Sequence, residues 1–212
     1  MHRLVWYFDF ISPFSYLQWC TLRELPAFEA AHLRPVLFAA LLKHWQHKGP
    51  AEIPGKRRFT YRHVVWLAEQ YGIPLRFPPA HPFNPVRALR LAEALGGQRK
   101  VVDTIFRFIW EEGRDPNTAI EWNVIQTRLG MVDGDALANA PEVKARLRAN
   151  GEEAIAAGVF GVPTMLIDGE LFWGFDATDM ALAYLREPDR FDRGEYPRVS
   201  ELPVAAMRRD VV

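Results

Sequence analysis

Strand-forming sequence in this chain is confined to its two ends, and that distribution limits the folds open to it. The apolar run Leu4-Val5-Trp6-Tyr7-Phe8-Asp9-Phe10 reads as a buried strand, and a second short strand is expected from Arg34 to Phe38, with Pro35 near its start. No strand pattern recurs until Thr164-Met165-Leu166-Ile167. There Asp168-Gly169 followed by Glu170-Leu171-Phe172-Trp173 gives a strong hairpin signal. Between these ends the periodicity predicts helices at about 59–71, 86–95, 98–111, 118–129 and 141–157, stopped by Gly72, Gly96-Gly97, Gly113, Gly130 and Gly158. The loop from Pro74 to Pro85 carries five prolines and reads as a stiff surface connector. With a helix over 13–25, ended or kinked by Pro26, and another over 178–185, the order is βαβ, a helical block, then ββα. The expected class is α/β: a small mixed sheet whose two halves flank an inserted all-α segment. The corresponding units are 1–39 with 159–187 around the sheet, an insertion over 40–158, and a C-terminal tail over 188–212 expected to be extended or frayed.

At 212 residues, 49% hydrophobic and with seven tryptophans, the chain can bury a sizeable core. Lys plus Arg match Asp plus Glu at 26 each, so no net field favours nucleic acid or an anionic membrane, and neither is expected as a partner. A single cysteine, Cys20, allows no intrachain disulfide and no cysteine-based zinc site. It reads as a small core residue rather than a nucleophile, and no metal is expected. The first apolar run is broken by Asp9 with no small-residue cleavage site after it, so no signal peptide is expected, and no stretch reads as membrane-spanning. The cytoplasm is the expected compartment.

The chemistry-bearing stretch is Ser12-Pro13-Phe14-Ser15, at the junction between the first strand and first helix. Ser is favoured at the N-cap and Pro just after it, so Ser12 is expected to cap the helix with free backbone N–H groups pointing at it. Such a helix start attracts anions. Thiol-disulfide oxidoreductases carry Cys-x-x-Cys at a strand-to-helix turn of this kind; here both positions are serine, which excludes redox exchange and leaves a site that acts on a thiol supplied from outside. Gly161-Val162-Pro163-Thr164 precedes the returning strand, and Pro163 is a candidate for a cis peptide. That bend would expose the Val162 backbone to an extended cysteine-containing tripeptide; the plainer reading is a proline that starts a strand.

Three stretches, Asp9-Phe10-Ile11-Ser12-Pro13-Phe14-Ser15-Tyr16-Leu17, Gly158-Val159-Phe160-Gly161-Val162-Pro163-Thr164 and Phe172-Trp173-Gly174-Phe175-Asp176, resemble the 2-hydroxychromene-2-carboxylate isomerases. These are relatives of the kappa-class glutathione transferases and, more distantly, of DsbA-type oxidoreductases. The resemblance covers roughly residues 3–186. It implies a thioredoxin-like domain with a helical insertion, glutathione as cofactor, and Ser12 as the catalytic residue that stabilises its thiolate. It also implies that Val162 holds the cysteinyl part, while Trp173, Gly174, Phe175 and Asp176 meet the γ-glutamyl end. Phe175 stands where relatives often have a polar residue, so only its backbone is carried over. Lys43 and Asn84 match substrate-side residues, a cation for a carboxylate and an amide for an oxygen, although a loop lysine is commonly a solvated charge and Asn84 before Pro85 equally suits a turn. Ile53 and Pro54 are further glutathione candidates, and Arg57 and Arg58 are either carboxylate partners or surface charges.

The implied reaction is glutathione-dependent isomerisation of 2-hydroxychromene-2-carboxylate, or a related intermediate of aromatic hydrocarbon catabolism, to trans-o-hydroxybenzylidenepyruvate, in a homodimeric enzyme. Two rival readings are a kappa-like glutathione transferase or peroxidase, and a non-catalytic peptide-binding module that kept the Val162 edge.

Overall fold

In the computed structural model, which describes residues 2–206, the first apolar run forms β1 (Leu4–Phe8), buried along its whole length. The strand stops two residues short of the expected end because Asp9 turns its carboxylate onto the backbone, where it accepts N–H groups from Ile11 (3.0 Å) and Phe38 (2.9 Å). β2 (His32–Pro35) pairs parallel with β1, and β3 (Thr164–Ile167) pairs antiparallel on its other side, followed by β4 (Glu170–Trp173) at the edge. The sheet order is β2-β1-β3-β4, a mixed α/β sheet with a helical insertion as expected. The hairpin turn is where the sequence puts it, with Asp168 and Gly169 both at positive φ (53° and 102°).

β2 lies earlier than the sequence suggests, with Pro35 as its last residue rather than near its start: the Val36 N–H still donates to the Phe8 carbonyl (2.9 Å), and the chain then leaves the sheet as the Phe38 N–H goes to the Asp9 carboxylate. The residues from Phe38 onward are helical instead. α1 (Pro13–Leu22) ends before Pro26, which opens α2 (Pro26–Glu29) from its first position rather than kinking α1. The rest of the helical series is α3 (Phe38–His44), α4 (Pro54–Tyr71), α5 (Val86–Ala94), α6 (Arg99–Phe106) running into a π turn (Arg107–Glu111), α7 (Ala119–Arg128), α8 (Gly134–Asn139) and α9 (Pro141–Ala156). α3 and α8 are too short for periodicity to reveal. Each glycine expected to stop a helix takes positive φ, between 62° and 81°.

Beyond α10 (Thr178–Arg186) the described part of the tail is not extended. It forms a 3-10 turn (Pro188–Asp192) and α11 (Glu195–Ser200), because Phe191 packs against Phe172 and Tyr184; residues 207–212 of the expected tail lie outside the described residues.

β1 is buried on both faces, which explains its unbroken apolar sequence. Leu4, Trp6 and Phe8 face a core shared with the helical block, where Phe106 contacts the rings of Trp6, Phe8, Phe10, Tyr16 and Trp19. Val5 and Tyr7 face the other side, covered by Leu41 of α3, Ala154 of α9, and Val159 and Val162. Among the described residues no helix is long and apolar enough to cross a membrane.

Candidate functional site

The turn from β1 into α1 has its backbone polar groups taken one by one. The Phe10 carbonyl accepts the Trp110 indole N–H (2.8 Å), the Ile11 N–H goes to Asp9 Oδ1, and the Ile11 carbonyl accepts His81 Nε2–H (2.8 Å). The Ser12 N–H donates to the Asp9 carbonyl (3.1 Å), and the Ser12 carbonyl accepts from Tyr16 N–H (3.2 Å). Ser12 is extended (φ −89°, ψ 113°) and caps α1 as predicted, its Oγ accepting the Ser15 N–H at 3.2 Å. The donor set at this helix start is narrower than the sequence suggests. Pro13 has no N–H, and those of Ser15 and Tyr16 are used by Ser12 itself. What remains without a partner among the described residues is the Phe14 N–H, beside the Ser12 hydroxyl proton. Ser12 is buried, 7% exposed, so a ligand group reaching it meets little competing water. Ser15 Oγ, fully buried in the next turn, has no hydrogen-bond partner among the described residues.

Because Tyr7 pairs with Thr164, the end of β1 that leads to Ser12 and the start of β3 lie at the same end of the sheet. The peptide between Val162 and Pro163 is cis, as anticipated. Neither the N–H nor the C=O of Val162 has a partner among the described residues, although the residue is 7% exposed. Unpaired backbone groups that close to the interior are costly, and a ligand strand would satisfy both. The loop after β4 is tied to the same place. Gly174, at φ 96°, donates its N–H to the Pro163 carbonyl (2.9 Å) and accepts Gln18 Nε2–H of α1 (2.9 Å) on its own carbonyl. Trp173 is half exposed, with its ring edge-on to Phe160 and its indole nitrogen against Gly161. The Phe175 ring is buried against Tyr71 and its carbonyl is taken by Thr178, which leaves its N–H for a ligand; Asp176 is exposed beside it.

Of the remaining candidates, Lys43 is carried by a helix pinned between both halves of this end. The Phe38 N–H that opens α3 is held by Asp9, and Trp45 just past its end donates its indole N–H to the Val159 carbonyl (2.9 Å). The Lys43 side chain is exposed. Ile53 caps α4 and Pro54 is its first residue, both exposed, as are Arg57 and Arg58 in the next turn. Asn84 takes the turn role: its Oδ1 accepts the Val86 N–H (3.1 Å). It lines a cavity of about 450 Å³ with Arg87, Arg90 and Asp135 in the helical block, which none of the other sequence-predicted residues line.

Sequence reasoning passed over Asp9, Gln18, Tyr61, His81 and Trp110. Gln18 is fully buried and joins three partners, accepting the Trp6 indole N–H (2.7 Å) and donating to the Gly174 carbonyl and Thr178 Oγ1 (3.0 Å). Asp9 carried a usable signal, a carboxylate inside a run of buried apolar residues; its burial pushes the carboxyl up to about 7 against the two N–H bonds that pull it down. His81 is pushed below its ordinary value by burial, against the Ile11 carbonyl bond that favours the cation. Cys20 of α1 is half buried with its thiol pushed up by burial, the state of an inert core thiol.

A family model for the DSBA-like thioredoxin domain matches residues 3–186. The chain is 30% identical to a 2-hydroxychromene-2-carboxylate isomerase of Sphingobium xenophagum over 187 residues, 84% of this chain and 95% of that one. It is 27% identical to glutathione S-transferase kappa 2 of Caenorhabditis elegans over 206 residues, 86% of this chain and 91% of that one. Among solved structures, that of a 2-hydroxychromene-2-carboxylate isomerase superposes with a TM-score of 0.77 at 25% identity, covering 89% of this chain and 97% of that one.

Proposed function

Because the chain belongs to the DSBA-like thioredoxin family, we propose that it is a glutathione-dependent isomerase acting on 2-hydroxychromene-2-carboxylate or a related aromatic oxo-acid precursor. The observation that carries this reading is Ser12: a buried N-cap hydroxyl whose oxygen is occupied by Ser15 N–H and whose proton is free to donate, where the redox members of such folds place a cysteine.

When bound, glutathione would supply a thiol nucleophile for reversible addition to the conjugated substrate, and would be regenerated on elimination. The residues present fit it. Val162 offers an N–H and a C=O to its cysteinyl unit, and the Phe175 N–H and Asp176 carboxylate suit its γ-glutamyl end, with Trp173 and Gly174 shaping that loop. Ile53 and Pro54 stand as exposed candidates for the remainder. Ser12 donates its hydroxyl proton to the sulfur and does not attack. A charge-assisted hydrogen bond contributes roughly 1.5–3 kcal/mol, and the helix start adds about 0.3–1 kcal/mol. At about 1.4 kcal/mol per pKa unit, together they depress the thiol by roughly one to three units. Lys43 supplies a cation for the substrate carboxylate. Asn84 is the weaker substrate-side candidate, since its amide oxygen is engaged in a turn.

The test is a thiolate absorbance titration of glutathione bound to the wild type and to Ser12→Ala. The variant is expected to bind glutathione with a thiol pKa about one to two units higher, which is the hydroxyl's share. An unchanged titration refutes the role. Turnover of the chromene carboxylate with no net loss of glutathione separates an isomerase from a transferase.

A further inference from the structure

We propose that His81 and Asp9 are positioning residues that set Ser12 for the thiol by clamping the preceding residue, Ile11, from both sides. The proposal rests on the functional reading above and adds residues to it. Ser12's own ties are long: 3.1 Å from its N–H to Asp9, 3.2 Å from Tyr16 to its carbonyl, and 3.2 Å from Ser15 to its hydroxyl. All three lie near the far limit of an effective N–H···O bond. The ties to Ile11 are shorter, 3.0 Å to Asp9 Oδ1 and 2.8 Å from His81 Nε2, and both come from side chains whose own positions are fixed. The Ile11–Ser12 peptide carries the Ile11 carbonyl and the Ser12 N–H, so its orientation, and with it the direction of the Ser12 hydroxyl, depends on the His81 bond and on the bond to the Asp9 carbonyl, while the Asp9 carboxylate fixes the peptide before it.

The tautomer of His81 follows from its partners. A carbonyl only accepts, so Nε2 must carry hydrogen, and in the neutral ring Nδ1 is then an acceptor. Tyr61 OH stands 2.6 Å from Nδ1 and 2.9 Å from the His81 carbonyl, so its one proton is shared between two acceptors of the same residue, of which Nδ1 is the nearer. Tyr61 thus ties both the ring and the backbone of His81, and favours the neutral tautomer that can hold Ile11. The second oxygen of Asp9 is fixed in the same way by the Phe38 N–H at the start of α3. One rigid set of groups consequently orients both Ser12 and the helix that bears Lys43.

The experiment compares wild type with His81→Phe, His81→Gln and Tyr61→Phe by two readouts. The first needs no ligand: amide hydrogen exchange at Ser12 and Ser15. His81→Phe is expected to speed exchange at these two amides, Tyr61→Phe to do so to a smaller extent, and His81→Gln, whose amide N–H can replace the donor, to restore protection. Unchanged exchange at Ser12 and Ser15 in folded His81→Phe overturns the clamp whether or not glutathione binds; if that variant does not fold, unchanged exchange in Tyr61→Phe does so. The second readout is the thiol titration of bound glutathione. His81→Phe is expected to raise the pKa by about one unit, a tenfold loss of thiolate at fixed pH, with glutathione affinity retained and His81→Gln close to wild type. A wild-type thiol pKa that is depressed and responds to Ser12→Ala, yet is indifferent to His81→Phe, refutes the positioning role alone. A wild type that does not bind glutathione refutes the functional reading and leaves the exchange result to decide the clamp.

Discussion

Replacing Asp9 by Asn should remove a pH dependence of stability that runs opposite to that of most carboxylates. Asp9 is fully buried with no charged partner among the described residues, and burial lifts its carboxyl from 3.8 to about 7. Between those values the native state holds a proton that the unfolded state has lost, so the stability difference falls as pH rises through the window and levels off above about 7. Roughly three units at about 1.36 kcal/mol each amount to ~4 kcal/mol, a large share of the 5–15 kcal/mol available to a domain. Glu112, held low by Arg128 and Arg114, and Asp168, held low by His2 and the Arg3 N–H, act in the other sense and lose their contribution as pH falls. Subtracting the variant from the wild type cancels them. Urea unfolding at steps from pH 4 to pH 8 should therefore show the wild type's advantage over Asp9→Asn shrinking by ~4 kcal/mol as pH rises, then staying flat. A difference independent of pH would mean that Asp9 titrates normally, and the account of a desolvated carboxylate would be wrong.

Ser15→Ala should be neutral or stabilise the protein by up to about 1 kcal/mol, because it removes a buried hydroxyl with no partner; a clear loss in a denaturant midpoint would show that the hydroxyl is engaged. Gln18→Leu should cost about 1–3 kcal/mol for the Trp6 indole N–H left buried and unpaired, with a smaller loss at the part-buried Gly174 carbonyl, which water can reach. The same variant should weaken glutathione binding through the untethered Gly174 loop, which calorimetry would measure; a fully stable variant with unchanged affinity would contradict both expectations.

What could be read from the sequence is what local chemistry decides. The Ser12-Pro13 cap, the Asp168-Gly169 turn and the helix-ending glycines each depend on residues within a few positions of one another, and all appear where expected. β2 ends earlier than its sequence suggests because the Phe38 N–H, 29 residues from Asp9, is drawn to that carboxylate rather than into the sheet. The folded tail depends on Phe191 finding Phe172 and Tyr184, contacts that composition cannot reveal. The site divides the same way. Its motif residues were visible, while His81, 70 positions from Ile11, and Trp110, 100 positions from Phe10, carry no local mark of the bonds they make.

That division bears on the role proposed for Ser12. The geometry of the Ser12 turn is fixed by groups outside Ser12-Pro13-Phe14-Ser15: Asp9, His81 and Trp110 hold the two residues before it, and Gln18 holds the loop facing it. A thiol or a hydroxyl at positions 12 and 15 would therefore be held in the same place. At position 12 the hydroxyl gains a role, since it accepts one N–H and keeps a proton to donate. At position 15 it gains none; its oxygen is buried without a partner in a slot where a thiol, a weaker hydrogen-bonding group, would lose less on leaving water. The unequal state of the two serines fits the proposed function, in which only position 12 meets the sulfur and that sulfur belongs to a ligand.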